Sequence, residues 1–127
     1  MFRMDLGSGE CGGHVVVALR GELDVLYAPA AATALRDLAA RRSRIIVDLA
    51  GLEFIDASGI AALERGRRHA RNAGGDLLLA APRRAVWRVL TIIWKPDGFA
   101  IHASVAEAAA SADALPAAIA TKDRRPD

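Results

Sequence analysis

"RIIVDLAGLEFIDASGI", Arg44 to Ile60, changes its repeat partway along. Ile45 to Leu49 is rich in β-branched residues and too short for an independent helix, so it reads as a central strand buried on both faces. From Ser58 the apolar residues recur at helical spacing. Ile60, Leu63, Gly66 and Ala70 share one side, while Glu64, Arg65, Arg68 and Arg71 lie largely on the other. Glu64 precedes Arg68 by one helical turn, the favourable order for a helix pair. "NAGG" then stops the helix with the glycine expected at a C-terminal cap, and "DLLLAAP" from Asp76 is a second buried strand. Strands joined through a helix run parallel, with a right-handed crossover.

The same reading extends to both ends. Phe2 to Leu6 is weakly strand-like, "GSGECGG" from Gly7 to Gly13 reads as a flexible turn, and "HVVVAL" from His14 to Leu19 is a β-branched strand. Together they predict an opening antiparallel hairpin. Ala31, Leu35, Leu38 and Ala39 then mark a helix from about Ala28 to Arg42, with Pro29 near its start, where a missing N–H costs nothing. After Pro82, Val86, Leu90 and Ile93 predict another helix, on which Trp87 and Trp94 read as core or edge-packing residues. Pro96, Asp97 and Gly98 predict a turn, "FAIHA" a short last strand, and Ser104 with Glu107 a capping box opening a final helix. The order is ββαβαβαβα, an α/β fold with a mixed sheet covered by helices. One domain is expected over residues 1–115, with a polar, frayed tail over 116–127.

Composition narrows the function. Of 127 residues, 53% are hydrophobic, enough for one sizeable core. Seventeen Lys and Arg are nearly balanced by 15 Asp and Glu, a net charge of +2 that argues against direct nucleic-acid binding. A lone cysteine, Cys11, forms no internal disulfide and suits a reducing compartment. His14, His69 and His102 lack ligand spacing, so no metal or cofactor is expected. With no secretory leader and no run approaching the ~20 apolar residues of a membrane span, the reading is a soluble, cytoplasmic protein with no membrane association.

Ser58 stands where strand gives way to helix. As a cap its hydroxyl would accept an N–H of the first turn, worth about 1 kcal/mol over alanine. As a nucleophile it would need G-x-S-x-G, a histidine base and an oxyanion hole, but the string is Asp56-Ala57-Ser58-Gly59-Ile60 and no histidine is placed to serve. As a phosphoacceptor it would gain close to two negative charges at a helix N-terminus that tolerates them, and Gly59 would let a kinase approach closely. The residues alone disfavour catalysis and leave cap and switch open.

"LRGELD" at Leu19 to Asp24, "IIVDLAGLEFIDASGI" at Ile45 to Ile60, "AGGDLLLAAP" at Ala73 to Pro82 and "SVAEAAA" at Ser104 to Ala110 together resemble the successive signatures of STAS domains. More closely, the chain resembles the stand-alone bacterial anti-sigma factor antagonists, over about Val15 to Ala110. That resemblance implies a non-enzymatic regulator of transcription, monomeric or weakly dimeric. Unphosphorylated, it would bind an anti-sigma factor that is also a serine kinase and so release a sigma factor. Phosphorylation of the serine in D-x-S-G, here Ser58, would weaken the complex, and a serine phosphatase would reverse it. Asp24, Asp56 and Gly59 fall at positions where family members meet the partner. The sequence departs from the family at Ala57, where many members carry a second hydroxyl, and at "TIIWKPDGF", Thr91 to Phe99. Ser58 is therefore expected to be cap and switch together. The alternative is a constitutive STAS scaffold, or a subunit of a signalling or transport assembly, in which Ser58 is only a cap.

Overall fold

The computed structural model describes residues 1–93 and 99–114. Strands β1 (Phe2–Cys11) and β2 (His14–Leu23) form the antiparallel opening hairpin. Helix α1 (Ala28–Arg41) leads to β3 (Arg44–Ile55), α2 (Ala57–Asn72) to β4 (Asp76–Ala80), and α3 (Arg84–Ile93) precedes β5 (Ile101–His102). Helix α4 (Val105–Ala114) follows. The strands lie side by side in chain order, and β2 through β5 are mutually parallel. The expected order and mixed sheet are thus present.

Four strands differ in extent from expectation, each because sheet pairing or burial overrides local propensity. The glycine-rich stretch read as a long turn is mostly strand. Cys11 pairs with His14, and only Gly12 and Gly13, at φ 57° and 82°, make the connection. Two consecutive positive φ values define the tight hairpin turn that matches strand twist, and glycine adopts them without a Cβ clash. The loose glycine-serine character survives as a register irregularity between Asp5 and Gly9. Strands β2 and β3 also run past Leu19 and Leu49, because Leu23, Leu52 and Ile55 are buried and Leu23 pairs with Ile55 in the parallel ladder. Strand β5 is shorter than "FAIHA", pairing only Ile101 with Leu79 and His102 with Ala80.

Each parallel connection steps one strand in the same direction, so right-handed crossovers place α1, α2 and α3 on one face. The main core agrees. Leu35 and Leu38 of α1, Ile60 and Leu63 of α2, and Val86 and Leu90 of α3 pack with Val17, Leu19, Val47, Leu49, Leu77 and Leu79 of the sheet. On the opposite face Ala108 and Ala109 of α4 lie over Ile46, Leu78 and Ala80. Small side chains let α4 approach closely. Trp87 packs partly buried against the main core, whereas Trp94, the 96–98 turn and the 116–127 tail lie outside the described residues.

Helix ends follow the sequence signals in two cases. Gly75 N–H donates to the Ala70 carbonyl at 2.9 Å and Gly74 N–H to that of Arg71 at 3.1 Å, closing α2 with paired C-terminal bonds. Ser104 Oγ accepts the Glu107 N–H at 3.1 Å at the start of α4. The Glu64–Arg68 pair does not form among the described residues. Arg67 is the paired arginine of α2, its Nε 3.4 Å from Asp76 Oδ1. No helix among the described residues is long and apolar enough to cross a membrane.

Candidate functional site

Strands β2 and β3 end together at the Leu23–Ile55 pair, and the chain leaves each through an aspartate. After β2, Asp24 folds the connection to α1 on itself. Its Oδ1 accepts the Leu26 N–H at 3.0 Å, and its carbonyl accepts the N–H groups of Tyr27 at 3.1 Å and Ala28 at 2.8 Å. This is the aspartate turn expected of a short side chain that mimics backbone. The turn pushes two large apolar residues outward: Val25 is 70% and Leu26 72% exposed. Periodicity gave no sign of this pair, since neither residue belongs to a strand or helix. The available signal was two apolar residues between a turn aspartate and a helix-opening proline.

After β3, Asp56 caps α2. It is extended at φ −118° and ψ −173°, its Oδ1 accepts the Gly59 N–H at 3.0 Å, and its carbonyl accepts that of Ile60 at 3.0 Å. Its own N–H donates to the Leu23 carbonyl at 3.3 Å, which ties the two connections together. The expectation that Ser58 caps this helix is therefore corrected. Ser58 is the second residue inside α2, and an aspartate two positions earlier already holds the first-turn N–H. Both residue types cap well; the aspartate wins because β3 extends to Ile55 and starts the helix at Ala57.

Gly59 also has a place of its own. It is buried, and a Cβ there would lie 2.6 Å from the Leu23 carbonyl oxygen and 2.8 Å from Ile55 Cγ1. Its bare α-carbon thus lets the first turn of α2 sit against the end of β2. The space it leaves faces inward, so the idea that Gly59 opens an approach to Ser58 from outside finds no geometric basis.

Ser58 itself is partly exposed. With Val25, Ala28 and Pro29 from the α1 side, and Ala61, Ala62 and Arg65 farther along α2, it lines an open groove of about 230 Å³ between the two helices. The structure thus gathers Asp24, Asp56, Ser58 and Gly59 at one end of the sheet, where β2 and β3 pass into their helices. It gives Asp24 and Asp56 backbone partners, and Ser58 no hydrogen bond among the described residues. The histidines stay apart from it: His14 opens β2, His69 lies late in α2 and His102 lies in β5. No cluster of three or more His, Cys, Asp or Glu that could hold a metal ion occurs among the described residues.

These features define a small α/β module whose strand ends carry an exposed apolar turn, an open groove and a partly exposed serine. The STAS domain family model matches residues 9–108, so the chain belongs to the STAS domain family. Among solved structures, a candidate anti-sigma factor antagonist of Thermotoga maritima is 25% identical, with a TM-score of 0.65 over 73% of this chain and 83% of its own. An anti-sigma factor antagonist from Mycobacterium paratuberculosis is 21% identical, with a TM-score of 0.73 over 85% of this chain and 91% of its own. The murine anion transporter Slc26a9 also matches, at 19% identity and a TM-score of 0.60, over 71% of this chain but only 15% of that one. A search of curated proteins finds no match.

Proposed function

We propose that this STAS domain is an anti-sigma factor antagonist switched by phosphorylation of Ser58. Unphosphorylated, it binds an anti-sigma factor that is also a serine kinase, and the bound sigma factor is released. In the reverse step the γ-phosphoryl group of ATP passes to the Ser58 oxygen, the hydroxyl proton is lost and ADP leaves; a serine phosphatase later hydrolyses the ester. The protein acts as a binding partner rather than an enzyme, needs no cofactor, contacts no nucleic acid directly and works in the cytoplasm. Asp24 and Asp56 shape the docking end of the sheet, and Gly59 lets α2 close against it.

The observation that carries this reading is the division of labour between Asp56 and Ser58. With the cap supplied by Asp56, Ser58 has no hydrogen bond among the described residues that would account for a structural role. Ser58 is partly exposed and lines the groove together with the outward-turned Val25. A dianionic phosphate added there would alter a binding surface without entering the core. The likeness to a domain of an anion transporter favours a second reading, a constitutive scaffold. That reading has no separate use for Ser58 once its capping role is gone.

The test is affinity capture from the source cell with wild-type, Ser58→Ala and Ser58→Asp baits, followed by kinase assay of what is bound. Wild type and Ser58→Ala are expected to retain one protein with ATP-dependent serine kinase activity, which adds a single phosphate to wild type and none to Ser58→Ala. Ser58→Asp should bind it at least about tenfold more weakly, a loss of about 1.4 kcal/mol. Equal binding by Ser58→Asp, or phosphate added elsewhere, would overturn the switch.

A further inference from the structure

The groove beside Ser58 contains a feature that neither the helix cap nor the exposed apolar turn explains. Ser58 and Arg65 both line it, and Ala28, Pro29, Ala61 and Ala62 form an apolar floor between. The two residues are seven positions apart on α2, nearly two full turns, so they share a face of the helix with about 10 Å of axial rise between their α-carbons. Side chains on a helix lean toward its N-terminus, and for Arg65 that direction runs along α2 toward Ser58. Arg65 is exposed and makes no ion pair or hydrogen bond among the described residues. It is also the one charged residue among those lining the groove. Its neighbours differ: Arg67 pairs with Asp76, and Arg68 does not line the groove.

We propose that phosphorylated Ser58 is held by Arg65 of the same chain, so that the guanidinium closes over the α1–α2 groove when the phosphate is present. This rests on the reading of Ser58 as a phosphoacceptor and adds what the phosphate does once attached. An arginine presents parallel N–H donors that match phosphate oxygens, and the long side chain together with the phosphate spans the separation. The apolar floor lies under that bridge, so the pairing covers a surface available in the unphosphorylated protein. Phosphorylation then acts in two ways: it adds charge at the docking end and withdraws the groove. The carboxylates of Asp24 and Asp56 stand on the flank, each accepting a backbone N–H, and oppose the second ionisation of the phosphate. Arg65 is the counterweight in the groove.

The test needs no kinase and no partner. Phosphoserine is placed at position 58 during translation, and the phosphate is titrated by ³¹P NMR in the full chain carrying wild-type Arg65, Arg65→Gln, Arg65→Lys or Arg68→Gln. The second phosphate pKa, normally near 6, is expected to rise by about half a pH unit in Arg65→Gln, in keeping with an exposed ion pair. Arg65→Lys should recover part of the difference, and Arg68→Gln should match wild type. A pKa unchanged by Arg65→Gln, or raised equally by Arg68→Gln, would overturn the pairing. Since the phosphate is installed directly, that failure is distinct from failure of the kinase reading, which would appear as absence of phosphate on Ser58 in the capture experiment.

Discussion

At the scale of single residues, the Asp56-Ala57-Ser58-Gly59 tetrad separates two tasks that local chemistry alone merges. An aspartate and a serine two positions apart can each cap a helix, and only the point at which β3 stops decides between them. Asp56 takes the Gly59 N–H at 3.0 Å, so Asp56→Ala should cost about 1 kcal/mol of folding stability. Ser58→Ala should stay within about 0.5 kcal/mol of wild type, as surface changes without a structural partner do. Urea unfolding of the two variants side by side checks this. A loss at Ser58 as large as at Asp56 would return the capping role to the serine. The candidate site was legible in the sequence as positions: Ser58, Asp24, Asp56 and Gly59 fall together at one end of the sheet. Their separate tasks were not, because capping, turn formation and close packing draw on the same small and polar residues. Arg65 escaped notice for a related reason: on an arginine-rich helix, only the course of the neighbouring helix tells which arginine faces a groove.

Among the elements, α2 carries most of the connection between core and site. Its inner face packs Ile60, Leu63 and Ala70 against the sheet and α1, and its first turn presents Ser58. Leu63 is 0% exposed, so Leu63→Ala removes buried methyl groups and leaves a cavity, with an expected cost of about 2–5 kcal/mol. Ile92 of α3 is 81% exposed, and Ile92→Ala should change stability by less than about 0.5 kcal/mol. Chemical denaturation midpoints at constant slope distinguish the two; similar costs would mean that the helical faces are misassigned. Those faces were readable because a 3.6-residue period persists for ten residues or more. The length of the hairpin's strands was not, because glycine and serine signal a turn locally, while ladder bonds from Gly9 to Cys11 hold that part of the stretch in the sheet. The same holds for the tails of β2 and β3, whose buried Leu23, Leu52 and Ile55 are recruited by tertiary contacts that no window of sequence contains.

For the whole molecule, the two faces of the sheet are unequal. The α1–α2–α3 side holds the large aliphatic core and, at its strand-end rim, the site. The α4 side is a thinner layer of alanines over Ile46, Leu78 and Ala80. This asymmetry permits stability and binding to be changed separately. Ala108 of α4 is fully buried against the sheet, so Ala108→Leu forces extra methylene groups into a layer with little room and should destabilise the fold by about 1–3 kcal/mol. Ala108 lies across the sheet from the Ser58 groove, with β3 and β4 between, and shares no partner with it. Distant sites without shared partners behave additively, so the folded variant should bind the proposed kinase partner with unchanged affinity. The check is a titration well below the unfolding midpoint, with the folded fraction measured on the same sample. Affinity within about threefold of wild type, together with a lowered midpoint, keeps α4 out of the interface, as docking at the α1–α2 rim requires. A drop beyond tenfold at full folding, about 1.4 kcal/mol, would instead place α4 in the interface and overturn the assignment of the docking end.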